Sequence, residues 1–271
     1  MTQPGVSQHL RKLENYFGHR LISQDGKSFS LTPEGEKIFA LGLSRRAEEK
    51  QLRETIEVDD PNTGEVRLAC SGSFAMLLYP KLLSWMNLAP NLKLDLEAAP
   101  QTKIMSGIIS GDYDLGVLSE KPDHPRIDVT ALGREELCLL LPKSAAGINI
   151  TYEELQTRGL VAHPDAYAYA DALLSLNFPN EYLGSDKLRI RGCVNQIGQI
   201  PTPVAAGIGY TILPRSGLES FPKAERLMVA RLKNRQWQNL WLINKRGRVI
   251  SSRLDYLIQL IKETAGQITS T

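Results

Sequence analysis

Three cysteines, four histidines and a net charge of +2 are all that this 271-residue chain offers to disulfide, metal or bulk-electrostatic chemistry. Cys70, Cys138 and Cys193 are odd in number and form no CxxC pair, so neither a disulfide framework nor a zinc site is expected. A reduced, cytosolic setting is the plain reading. No apolar run approaches the ~20 residues of a membrane span, and the start lacks the basic-then-apolar layout of a signal peptide. The expectation is a soluble intracellular protein with no membrane partner. G-x-S-x-G, Walker A and H-E-x-x-H are absent, and Gly207-Ile208-Gly209 is a lone GxG. Asp112 and Asp114 flank a tyrosine ahead of a strand and read as turn chemistry, not as an acid–base pair. No enzyme, cofactor or metal is expected. The balanced charge also excludes a global basic field of the kind that drives non-specific nucleic-acid binding.

What is present begins at residue one. In MTQPGVSQHLRKLENYFGHRL, Val6, Leu10, Leu13 and Phe17 share one helical face. Ser7, Gln8, Arg11, Lys12 and Asn15 fall on the other, which carries the groups that bond base edges and phosphates. Thr2 is placed to cap this helix, Pro4 suits its first turn, and Gly18 can end it. The pattern is that of a DNA-recognition helix, whose apolar side should be buried on its own protein. Leu21–Ser23 and Ser28–Leu31 then flank Gln24-Asp25-Gly26-Lys27, a hairpin signal that predicts a small wing. Thr32 as N-cap, Pro33 at the first position and Glu34 in the first turn start a long helix running to about Ile56. Its thin apolar seam (Ile38, Leu41, Ala47, Leu52, Ile56) between charged flanks predicts packing on a partner helix, against the plainer alternative of a solvated connector.

Residues 57–64, EVDDPNTG, mark a linker. Beyond it, strands and helices alternate: strands at 65–70, 92–98, 113–119, 159–163, 189–192 and 209–214, with helices at 73–87 and 102–110 among those between them. This predicts α/β units around largely parallel sheets. Residues 127–142 are long for one strand and carry Gly133 midway, so they are expected to cross between two sheets. Residues 236–245 return the chain, and an amphipathic helix over 249–264 closes it.

The string TQPGVSQHLRKLE, followed by GHRL, the short wing and SLTPEG, resembles the LysR-type transcriptional regulators. The strand EVRLAC, the helix with LYPKL, then SGIISGDYDLGVL and VAAGIGYTILP extend the resemblance over the rest of the chain. It implies an N-terminal winged helix-turn-helix, here partial, with a long linker helix over 1–58. A two-lobed α/β effector domain like those of periplasmic binding proteins would follow, with lobe I at 64–134 and 237–271 and lobe II at 135–236. The implied partners are an operator in double-stranded DNA, a small effector and further copies of the chain as a homodimer or homotetramer. By position, Gln3, Pro4, Ser7, Gln8 and Arg11 occupy the recognition-helix contacts and Lys27 the wing, with Lys12 and Lys27 suited to phosphate. The family's first helix and most of its second would precede Thr2, so the chain as written is expected to bind its operator poorly. Ser23-Gln24-Asp25 also stand where relatives usually place basic residues.

Ligands of such lobes lie beyond the carboxyl ends of strands, where helix N-termini point amides into the crevice. Ser71, Gly72 and Ser73 follow the first strand, Gln101 and Thr102 the second, and Leu118 and Ser119 end the third. The other lobe would add His163, Asn195, Gln196 and Gln199. Hydroxyls and amides of this kind suit a carboxylate or another small anion, although capping explains Ser73, Thr102, Asn195 or Gln196 singly and His163 can be a neutral structural group. Cys138 and Cys193 could form a redox pair, against the commoner reading of buried thiols as small hydrophobes. Two other readings remain open at this level: an effector-sensing dimer without DNA binding, and a solute-binding protein.

Overall fold

The chain divides between Asp59 and Asp60 into two units, in a computed structural model that describes residues 3–26, 28–57, 59–145 and 150–269. Thr2 and Lys27 lie outside the described residues. In the first unit, helix α1 spans Gln3–Phe17 and a hairpin follows, β1 (Ile22–Asp25) and β2 (Ser28–Leu31). The register pairs Asp25 with Ser28, so the turn is tighter than the sequence suggested and begins at Gly26, whose φ of +59° suits a two-residue hairpin loop. Helix α2 runs over Pro33–Glu57. Thr32 starts it as expected, accepting from Gly35 N at 3.0 Å while its own hydroxyl donates to Arg20 O at 2.7 Å.

The expected burial of the apolar face of α1 is not found. Val6, Leu13 and Phe17 are 51%, 41% and 40% exposed, and Leu10 is half-buried. Among the described residues of this unit, two helices and a hairpin leave that face open and bury Leu21 instead. Of the seam on α2, Leu41 is exposed and Ile38 half-buried, while the side chains of Ala47, Leu52 and Ile56 are outside the description.

The second unit runs in the order β3 (Thr63–Cys70), α3 (Gly72–Leu88), β4 (Asn91–Ala98), α4 (Gln101–Ser110), β5 (Leu115–Leu118) and β6 (Ile127–Pro142). Then come α5 (Tyr152–Arg158), β7 (Leu160–Ala162), α6 (Ala166–Asn177), β8 (Ile190–Cys193), α7 (Pro201–Ala205), β9 (Thr211–Pro214), α8 (Arg215–Glu219), β10 (Leu227–Val229), β11 (Gln236–Lys245) and α9 (Ser252–Thr269). β3 begins inside the expected linker, where Asp60 holds the turn by accepting from Asn62 N and Thr63 Oγ1.

Two expectations are corrected. The main sheet is mixed rather than largely parallel: β3 pairs in parallel with β4 and β5, but β6 pairs antiparallel with β9, β10 and β11, and β11 antiparallel with β5, while β7 and β8 form a separate two-stranded parallel sheet. The long β6 also stays within one seven-stranded sheet, ordered β10-β6-β11-β5-β3-β4 with β9 beside β6. Both follow from one cause. β6 and β11 run side by side as long antiparallel partners, so the halves on either side share a single ladder. At Gly133 (φ +133°) β6 carries a bulge: Leu240 faces Gly133 and Trp241 faces Ala131, leaving Leu132 as the extra residue.

Burial tracks the alternation of side chains. Val66, Leu68 and Cys70 of β3 pack under α3 and α9 with Leu78, Leu82, Leu257 and Ile261, and Ala69 faces the other way onto Ile104 and Ile108 of α4. Beyond Gly133 the second half of β6 is buried on both faces. Leu137, Leu139 and Leu141 meet α6, and Cys138 and Leu140 meet Val204 of α7. Residues 135–142 thus read LLL-rich because no side of them meets water.

Candidate functional site

On α1 the residues expected to meet DNA stand clear. Ser7, Gln8, Arg11, Lys12 and Asn15 are all exposed, as the helical spacing required. Gln3 and Pro4 open the helix, with side chains outside the description. Ser7, Arg11 and Asn15 line one groove together with Gln24 and Phe29 of the hairpin. A helix face and a wing therefore share one concave surface, which can present a guanidinium, an amide and a hydroxyl to a duplex. Glu14, in the same groove, has a structural role. Its Oε1 accepts from Leu21 N at 2.9 Å and fixes the exit from the helix.

In the second unit the candidate effector residues sort into three groups. Ser71 Oγ accepts from Phe74 N at 3.3 Å and caps α3. Ser73, half-buried in the first turn, is not the cap. Thr102 is exposed, and Pro100, not Thr102, occupies the N-cap of α4 without a side-chain bond. Gln101 ties two loops together, since its Oε1 accepts from Ser119 N at 3.2 Å and Glu120 N at 3.0 Å. Leu118, beside it, is buried at the end of β5.

A second group comes from the segments that follow β8 and β9 and meets the first. A Cβ on Gly72 would run into Ile197, and one on Gly198 would touch Met76 of α3 at 3.4 Å. The start of α3 therefore abuts the turn formed by residues 197–199, and Gln196 and Gln199 flank that contact. Asn195, Gln196 and Gln199 are exposed and use no side chain for capping; the helical stretch begins as a short 3-10 turn that runs into α7. Gly217 of α8 approaches the same place, where a Cβ would lie 2.8 Å from Ser73 Oγ. Nothing in the sequence pointed to Ile197, Gly198 or Gly217, because a close approach across two lobes leaves no periodic trace.

His163 stands apart. It is 3% exposed, and its Nε2–H donates to Ile212 O at 2.9 Å, beside Tyr169. Burial pulls its pKa below the usual histidine value, the carbonyl bond acting in the opposite sense. That environment is one for a neutral ring. Cys138 is buried with its pKa pushed up to about 12 by desolvation, Cys193 is exposed, and both are free thiols. Asp114 is a buried hub: it takes Arg67 Nη2 at 2.9 Å, Arg248 Nη2 at 2.7 Å and Arg67 N at 2.8 Å.

Adjacent carboxylates on β6 have different fates. Glu135 is 2% exposed and accepts from Ser216 N at 3.1 Å. Burial raises its pKa, the Ser216 bonds oppose this, and Glu219 adds like charge. Glu136 pairs with Arg215, and Arg235 sits 3.6 Å away.

The pattern described as "LysR substrate binding domain" matches residues 59–266, and that of "Bacterial regulatory helix-turn-helix protein, lysR family" matches residues 1–36. Among curated relatives, the uncharacterized HTH-type transcriptional regulator YfeR of Shigella flexneri is 27% identical, covering 97% of this chain and 85% of its own. EstR of Acinetobacter baylyi, an HTH-type transcriptional regulator, is 24% identical, covering 100% and 89%. Among solved structures, a C206 mutant of Corynebacterium glutamicum OxyR superposes with a TM-score of 0.65 at 18% identity, covering 100% and 86%. Full-length CbnR complexed with its target DNA gives 0.55 at 20%, covering 98% and 91%. At these identities the structures speak to the fold alone.

Proposed function

The chain belongs to the LysR family of bacterial transcriptional regulators, and from that premise we propose that it reads its operator through Gln3, Pro4, Ser7, Gln8 and Arg11 of α1, with Lys12 and Lys27 on phosphates. It is a DNA-binding regulator with an effector-binding domain. The observation that carries the residue assignment is the exposed polar face of α1, from which Ser7, Arg11 and Asn15 share a groove with Gln24 and Phe29 of the wing. Arg11 is suited to a guanine and Gln8 to an adenine in the major groove. Work on an operator sets the place of action in the cytoplasm.

Residues 64–134 and 237–271 form one lobe and 135–236 the other, with residues 1–58 as the DNA-binding part and linker helix. The effector is a small carboxylate held between Ser73 and Thr102 on one side and Asn195, Gln196 and Gln199 on the other. Ser71, Gly72, Gln101, Leu118 and Ser119 shape the wall. What supports this is the close approach of the start of α3 to the 197–199 turn, with Asn195, Gln196 and Gln199 exposed beside it. His163 supports the lobe from within. Homodimers or homotetramers form through α2, whose Phe39, Leu41 and Leu43 are exposed. Fluorescence anisotropy with DNA from the protein's own promoter tests the reading. Arg11→Ala should cost about 1–3 kcal/mol at one sequence, and Lys12→Ala should weaken all sequences alike and lower the salt slope by about one. Unchanged binding in both variants would refute the assignment.

A further inference from the structure

Leu21 and Gly35 are the only buried residues among those described in the first unit, and they lie against each other. A Cβ on Gly35 would run into Leu21 O, a backbone atom that cannot swing aside. Both backbone polar groups of Leu21 are taken. Its N–H donates to Glu14 Oε1 of α1 at 2.9 Å, and its carbonyl accepts from Thr32 N at 3.0 Å. The second bond adds a rung beyond the Ile22–Leu31 pair that closes the wing. Thr32 Oγ1 in turn donates to Arg20 O and accepts from Gly35 N at the start of α2. Helix α1, the wing and α2 therefore meet at one node, the backbone of Leu21.

The rest of this unit gives α1 little to lean on. Val6, Leu13 and Phe17 are exposed, so the apolar face does not fix how the helix stands to the wing. The bonds at Leu21 do. Glu14 follows Arg11 by three positions, which places the carboxylate that holds Leu21 one turn from the guanidinium assigned to a base. Hydrogen bonds to base edges weaken steeply with angle and distance. A tilt of α1 would thus misplace Arg11 and Gln8 without removing any group that touches DNA.

We propose that Glu14 and Gly35 are positioning residues for operator reading: they hold α1 at the angle to the wing that lets Arg11 and Gln8 meet base edges. This rests on the assignment of α1 made above. Fluorescence anisotropy of the full chain at low salt tests it, with a duplex from the protein's own promoter and a scrambled duplex of equal length and composition. The parent should prefer the promoter duplex. Glu14→Ala should reduce that preference about tenfold, the discrimination that one well-placed base contact supplies, with no fall in affinity for the scrambled duplex. Glu14→Gln removes the same charge but leaves an oxygen for Leu21 N, and should keep the parental preference. Gly35→Ala changes no charge and should show the loss seen in Glu14→Ala, with the double variant losing no more than either. Equal losses on both duplexes in Glu14→Ala, as collapse of the unit would produce, would overturn the proposal. So would a Glu14→Gln protein that behaves as Glu14→Ala, an unaffected Gly35→Ala, additive losses, or a parent without preference. Arg11→Ala separates the node from the assignment beneath it. Loss there with none in Glu14→Ala overturns the node alone, and no loss in either overturns both.

Discussion

Single residues in this protein show how the same chemical group is used in opposite ways by its surroundings. Asp114 is ionic and shared by two arginines that are about one-third exposed. Asp114→Asn keeps the shape but removes the charge both guanidiniums turn to, and should cost about 2 kcal/mol in urea unfolding; a loss near zero would show the arginines to be served by water. Glu135 is a carboxyl for which burial favours the protonated form. Its native pKa lies above the unfolded value of about 4.3, so the folded state holds a proton that the unfolded chain has released. That contribution is complete below the unfolded value and is lost as pH rises through the native one. Glu135→Gln retains an acceptor for Ser216 N without ionising. Stability of the variant relative to the parent should therefore climb as pH rises from the unfolded value to the native one and level off beyond it, and parallel pH profiles would contradict this. His163 and Gln101 were readable by type but not by employment, since a hydrogen-bond partner 49 residues away, as Ile212 is from His163, leaves no mark on local sequence.

At the scale of elements, the spacing of apolar residues located most helices and strands to within a few positions. α1 is helical where the four-residue apolar spacing said it would be, and β11 has the limits expected. What spacing could not say was whether the apolar face of α1 is covered, because amphipathicity states a need for burial and not its fulfilment. β6 is the element whose role depended most on the fold. Its bulge at Gly133 is bound to glycine twice over: φ is +133°, and a Cβ there would run into Thr269 of α9. Gly133→Ala should lower stability by about 2–3 kcal/mol, visible as a fall in the urea midpoint with an unchanged far-ultraviolet spectrum. A midpoint equal to that of the parent would mean that β6 can run straight through this point.

At the scale of the molecule, two units with separate interiors meet the same chain at residues 59 and 60. Limited digestion with a glutamate-specific protease should release a fragment beginning near residue 58 that retains the urea midpoint of the intact chain's second unit. A fragment that unfolds once released would show the two interiors to be interdependent. Composition, periodicity and the N-terminal motif determined the class of protein, the order of its elements and the polar face that α1 turns outward, because each of these is fixed by neighbours within a few turns of chain. Only the tertiary structure decided that the seven-stranded sheet is mixed, that Glu135 is buried while Glu136 is paired, and that Gly72 and Gly217 make room for the opposing lobe. These depend on residues brought together from distant parts of the chain, and the free energy of such contacts is set by packing and desolvation rather than by local preference.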